Sequence, residues 1–181
     1  MGRQDSIAAT EGGGMAHCVT FVLGKEIFAI DIHHIREIIE YEEITPVPMM
    51  PVFVRGIINL RGSVVPVIDL SIRFGRELTQ VKPTTCIAIL CLDASSEFST
   101  LGILLDGVRE VVEIPHSQIE PAPSFGTGLR SDFIKGITTV DSRFVVMLDV
   151  QQALSIDELT QLADEVGRAQ ISEHVTTQEA G

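Results

Sequence analysis

The chain repeats itself. Phe53-Val54-Arg55-Gly56-Ile57 returns as Phe133-Ile134-Lys135-Gly136-Ile137, position for position, at an offset of 80 (133 − 53). Val65-Pro66-Val67-Ile68-Asp69-Leu70 returns as Val145-Val146-Met147-Leu148-Asp149-Val150 at the same offset. Upstream, Ile35-Arg36-Glu37-Ile38-Ile39-Glu40 matches Val108-Arg109-Glu110-Val111-Val112-Glu113 at an offset of 73 (108 − 35), which Phe28-Ala29-Ile30 and Leu101-Gly102-Ile103 share. Blocks that recur in one order point to a tandem duplication. The unit is barrel-sized, not a solenoid module. The difference of seven (80 − 73) places an insertion in the second copy, at Pro121 to Arg130, where proline and glycine mark a loop.

The longest repeated stretch, Phe53 to Leu70 (FVRGIINLRGSVVPVIDL), reads as a β-hairpin. Two runs rich in valine and isoleucine flank a turn carrying Asn59 and Gly62. Pro66 has no N–H for a ladder, so it belongs at an edge or a bulge. Arg61 is a charged residue in the turn of an otherwise apolar hairpin. In the second copy Asp141-Ser142 stands in place of Arg61-Gly62.

The remaining elements follow the same logic. Val19–Leu23 and Ile27–Ile30 read as strands around a Gly24 turn, and Asp31 can cap one helical turn through Ile35. Glu37 to Ile44 resumes as a strand, and Pro46, Pro48 and Pro51 make an extended connector. In the second copy Cys86 to Leu92, Leu101 to Leu105 and Arg109 to Ile114 are strands, with a turn at Ser95-Ser96. Ser155 to Arg168 reads as a helix, with a capping box at Ser155 and Glu158 and an apolar stripe from Ile156 to Val166. Residues 1–16 are polar and Gly-rich and are expected to be unstructured, and 169–181 to fray.

Composition narrows function. A net charge of −12, one Tyr and no Trp argue against a nucleic-acid or anionic-membrane partner. No apolar run is long enough to cross a membrane, and the N-terminal stretch lacks the apolar segment of a signal peptide, so the expectation is a cytoplasmic protein. Cys18, Cys86 and Cys91 form no paired framework, and no spacing of His and Cys suits a metal. No phosphate-binding glycine loop, nucleophile elbow or zinc-protease motif is present. The expectation is therefore a binding protein without cofactor, metal or catalytic set.

AIDIHHIREI (29–38), FVRGIINLRGSVVPVIDL (53–70), LGILLDGVREVV (101–112), PAP (121–123) and FIKGI with VVMLDV (133–150) together resemble the CheW family of bacterial chemotaxis coupling proteins. The resemblance spans about residues 17–154. It implies a mainly all-β fold of two small five-stranded SH3/OB-like barrels related by a pseudo-two-fold. These would cover about 17–82 and 83–154, with some strand exchange, ahead of the C-terminal helix at 155–168. It implies a non-enzymatic scaffold linking the cytoplasmic tips of chemoreceptors (methyl-accepting chemotaxis proteins) to the regulatory domain of a CheA-type histidine kinase. Receptor contact in the family uses a groove between the barrels. Carried over by motif, that groove takes Ile35, Ile38, Gly56, Arg61, Cys86, Gly102, Val108 and Val111, while the kinase-contact residues stay unassigned. The same resemblance raises the expectation that Glu37 and Arg61 pair to orient the hairpin turn. Cys86 departs from the family, where a β-branched apolar residue is usual. No receiver domain follows, which gives the expectation of a stand-alone coupling protein. An adaptor of a non-flagellar array, controlling pili or second messengers, has the same sequence signature.

Overall fold

The structure, a computed structural model, describes residues 14–92, 100–122 and 131–154. The Ser95-Ser96 turn, most of the Pro121–Arg130 loop, the helix expected at 155–168 and both outer tails lie outside the described residues.

Ten strands form. In the first copy they are β1 (Met15–Leu23), β2 (Glu26–Asp31), β3 (Ile35–Glu40), β4 (Val54–Leu60) and β5 (Ser63–Asp69). In the second they are β6 (Cys86–Cys91), β7 (Thr100–Leu105), β8 (Gly107–Pro115), β9 (Ile134–Val140) and β10 (Arg143–Leu148). Each copy ends in one helical turn, α1 (Leu70–Arg73) and α2 (Val150–Ala153), capped by Asp69 and Asp149.

The fold is mainly β, with two five-stranded sheets ordered β8-β1-β2-β10-β9 and β3-β6-β7-β5-β4. Replacing each strand by its counterpart in the other copy turns one order into the other. Each sheet is therefore a mixture. Two strands of one copy join three of the other, through the parallel pairs β2–β10 and β5–β7 and the antiparallel pairs β1–β8 and β3–β6. Neither sheet is a continuously paired barrel. A single bridge nearly closes each one, Thr45 to Ile57 in one and Glu120 to Ile137 in the other.

Those bridges explain the repeated glycines. A Cβ on Gly56 would lie 2.1 Å from the Thr45 carbonyl oxygen, and Gly56 adopts φ +148°. A Cβ on Gly136 would lie 2.4 Å from Ile119 Cγ2 and 2.9 Å from the Glu120 carbonyl oxygen. Both glycines sit at a bulge in equivalent hairpins. Only hydrogen at Cα lets the closing segment approach.

Central strands bury both faces, which is why they read as unbroken apolar runs. In β2, Phe28 and Ile30 enter the main core between the sheets, while Ala29 enters a smaller core inside the curl of its own sheet. Ile58, Val65, Val67, Ile87, Ile89 and Leu104 form the matching small core of the other sheet. Near the pseudo-two-fold, Arg73 stacks over both Phe53 and Phe133 at 5.0 and 4.9 Å, and its Nε donates to the Ala153 carbonyl at 2.9 Å.

Several local expectations shift. β1 starts at Met15, inside the stretch expected to be unstructured, because Ala16 pairs with Ile114 and is buried. The helical turn is a 3-10 turn at Ile32–His34, capped by Asp31, and β3 starts at Ile35 and stops at Glu40, short of Ile44. Pro66 lies in a central strand, neither an edge nor a bulge. The Leu60–Ser63 pair closes a two-residue turn, so alternation makes Ile57–Pro66 a pair without hydrogen bonds, and pairing with β7 starts only at Val67. The absent N–H meets no acceptor. The seven-residue insertion is divided. Equating Thr45 with Glu120 gives an offset of 75 (120 − 45), so two residues enter before Glu120 and five after it.

Candidate functional site

β3 and β8 are outer strands of different sheets, and the outer face of an edge strand has no neighbour within its own sheet. Where they meet, an open cleft of about 590 Å³ forms. Ile38 of β3, Val108 of β8 and Cys86 of β6 line it, with Tyr41 and Lys82 at its border. Ile38 is 39% exposed and Val108 40%, and Val111, further along β8, is 61% exposed. Alternation along β3 places Arg36, Ile38 and Glu40 outward, so an isoleucine stands among charges on a solvent face. Burial pushes the Cys86 thiol up, and a hydrogen bond from the Val108 backbone opposes it.

β3 also borders a second cleft of about 560 Å³ at the hairpin tip, lined by Arg36, Met50, Leu60, Arg61 and Val64 among others. Arg61 holds φ +51°, and Gly62 φ +87° completes a two-residue turn of type I′. Arg61 donates from Nη1 to Glu37 Oε1 at 2.6 Å and from Nη2 to Glu37 Oε2 at 2.8 Å. The fork is bidentate, which fixes direction as well as distance. The hydrogen bond from Arg61 holds the Glu37 carboxyl below the usual glutamate range, and the same bond raises Arg61. Closure of the sheet is what brings the β4–β5 turn to β3.

The eight residues carried over as a groove do not form one surface. Ile38, Cys86 and Val108 share a cleft, and Val111 extends along the same outer strand. Ile35 is half-buried against the main core. Arg61 lies at the other cleft. Gly56 and Gly102 are buried. A Cβ on Gly102 would lie 3.0 Å from Ile87 Cγ2 and 3.3 Å from Val67 Cγ2, so β7 needs a glycine for packing between its neighbours. Sequence reasoning missed Tyr41, Lys82 and Thr84 at the first cleft and exposed Val64 at the second. Only Val64 left a signal, an apolar residue out of step in the alternation of β5.

Among the described residues, no group of three or more His, Cys, Asp or Glu is placed to hold a metal ion, and no helix is long and apolar enough to cross a membrane. The Cys18 thiol is raised to about 11 by burial and by Asp31.

Comparison with known proteins agrees with this architecture. The CheW-like domain family matches residues 17–158. The chemotaxis protein CheW of Klebsiella aerogenes is 32% identical over 149 residues, covering 82% of this chain and 87% of that protein. The chemotaxis protein CheW of Treponema pallidum is 32% identical over 147 residues, covering 81% and 86%. The crystal structure of the scaffolding protein TtCheW from Thermoanaerobacter tengcongensis superposes with a TM-score of 0.67 at 32% identity, over 76% of this chain and 86% of that one. With the duplicated sheets, the repeated motifs and the matched span in agreement, the chain belongs to the CheW family of chemotaxis coupling proteins.

Proposed function

We propose that the protein is a non-enzymatic cytoplasmic scaffold that couples chemoreceptor tips to a CheA-type histidine kinase, and that the receptor docks in the cleft of Ile38, Cys86 and Val108. The observation that carries this is the half-exposed apolar trio where edge strands of different sheets meet. A helical receptor tip presents apolar side chains at i, i+3, i+4 and i+7, which suits an apolar groove. Val111 continues that strip along β8. The Glu37–Arg61 pair has a different role in this reading. It keeps the hairpin turn in one shape for a partner at the second cleft.

Val108→Glu tests the docking reading. Binding of a purified receptor-tip fragment is expected to weaken by more than tenfold, and the melting temperature to stay near wild type, because a half-exposed side chain can turn its charge to solvent. A kinase regulatory domain should bind the variant as before. Unchanged receptor binding would remove Val108 from the interface. A large fall in melting temperature would assign it to the core, where an unpaired charge is costly.

A further inference from the structure

The cleft between β3 and β8 carries two charged side chains that apolar docking leaves unused. Lys82 and Glu40 both line it. Among the described residues neither enters an ion pair, although their charges are opposite. In a chain of net charge −12, a lysine left free at a docking cleft stands against the overall field.

The backbone of Lys82 is held in place. Its N–H donates to the Thr85 hydroxyl at 2.7 Å, and the Thr85 N–H donates back to the Lys82 carbonyl at 3.0 Å. Pro83 fixes a backbone angle inside that turn. Thr85 is buried, and the Thr84 hydroxyl donates to the Asp106 carbonyl at 2.7 Å. Asp106 stands between β7 and β8, and its carboxylate accepts from the Gly24 N–H at 2.6 Å. The turn that carries Lys82 is thereby tied to the strands around the cleft, while its ammonium stays unpaired. A group presented from a fixed stem loses less freedom when it meets a partner.

Tyr41 lines the same cleft, with its ring packed against the small core of the β3 sheet. Its hydroxyl has no hydrogen-bond partner. Register places it near Lys82. Glu40 pairs with Cys86, Tyr41 follows Glu40, and the Lys82 turn closes on Thr85 just before Cys86. Tyr41 and Lys82 therefore leave the β3–β6 pair at the same end, past Ile38. An ammonium offers donors only, and a phenol adds one more. A carboxylate accepts from both.

We propose that Lys82 and Tyr41 form a carboxylate-recognition site at the end of the cleft, so that the receptor helix seated on Ile38, Cys86 and Val108 must carry an acidic side chain beside its apolar stripe. This rests on the cleft being the receptor dock. The apolar floor supplies contact area, and the acid fixes where along the cleft the helix sits. Glu40 opposes that acid and sets a limit on its attraction.

The test measures binding of a purified receptor-tip fragment to the full chain at low and high salt. Lys82→Gln is expected to weaken binding about fivefold at low salt and to flatten its salt dependence. Lys82→Glu should weaken it by about tenfold or more. Tyr41→Phe, which keeps the ring in place, should weaken it about threefold. Glu40→Gln should tighten it about twofold. On the receptor side, exchanging carboxylates for amides one at a time should find one whose loss weakens binding to the wild type but not to Lys82→Gln. Unchanged binding by Lys82→Glu or by Tyr41→Phe would overturn the proposal, as would weaker binding by Glu40→Gln, which would mean a basic partner. An equal loss toward a kinase regulatory domain would mark a general charge effect and overturn it too. Val108→Glu separates the two readings. If it weakens receptor binding and Lys82→Glu does not, the cleft remains the dock and the carboxylate site falls. If neither weakens it, both fall.

Discussion

The hairpins β4–β5 and β9–β10 share a backbone and part company at the tip and the base. Both turn through two residues of positive φ, Arg61-Gly62 and Asp141-Ser142. Both have a glycine under a closing bridge and an aspartate capping a helical turn. At the tip the first hairpin places Arg61 in a bidentate pair with Glu37 on a neighbouring strand. At the base it joins a buried carboxylate, buried Thr79 and a partly buried guanidinium in one network, whereas Lys135 is exposed and Asp149 partly so. Features present in both copies close the sheets. Features present in one copy make it specific, which is where a duplicated fold can acquire a partner.

The glycines give the largest test of the shared features. Gly56→Ala forces a Cβ into the Thr45 carbonyl at a strained φ and is expected to cost roughly 3 kcal/mol or more. Gly136→Ala should cost less, because its nearest obstacle is the Ile119 side chain. Denaturant midpoints check the order, and equal small effects would separate the glycines from closure. Next come the aspartates. Asp69→Ala leaves a partly buried Arg55 and the buried Thr79 donors without their carboxylate and is expected to cost about 3 kcal/mol, while Asp149→Ala removes a cap worth about 0.5–2 kcal/mol. If the two costs prove equal, the bases of the hairpins are not as different as their hydrogen bonds imply.

A smaller effect should run the other way. Thr138 stands where the first copy has Ile58, and its buried hydroxyl has no partner among the described residues. Thr138→Val is expected to stabilise by about 1 kcal/mol. Loss of stability on that change would show that the hydroxyl is satisfied in solution. The smallest effect on stability belongs to the tip. Exchanging the charges, Arg61→Glu with Glu37→Arg, should leave the melting temperature near wild type. Each single change should impair kinase activation in a reconstituted array, and the double should restore part of it. The pH sign follows from a depressed Glu37. Its contribution is complete above the ordinary glutamate value of about 4.3 and is lost as pH falls through the lower folded value. Wild type and Glu37→Gln should therefore converge in stability at acid pH, and a gap persisting there would deny the pair.

Much of this was legible before any coordinates. Arg61 stood out because a charge in the turn of an apolar hairpin is anomalous. Asp31 was readable as a cap because capping joins residues two or three apart. Val108 was readable as a site residue only through family resemblance, since valine in a strand is ordinarily core. Tyr41 and Lys82 left no trace, because nothing in their neighbourhood says which strand comes to lie across from them.

The sequence by itself determined the duplication, the strands, the turns and the repeated glycines and aspartates. Each of these is set by residues a few positions apart, through alternation, φ preference or a local hydrogen bond. Only the tertiary structure decided that every sheet would take strands from both copies, and hence that β3 would meet β8. Two similar halves offer similar edges, so pairing within a copy and pairing across copies look alike to local forces. The choice falls to long-range terms. These are the common core between the sheets, Arg73 stacked over both Phe53 and Phe133, and the closing contacts over Gly56 and Gly136. The cleft exists because those terms settled on exchange.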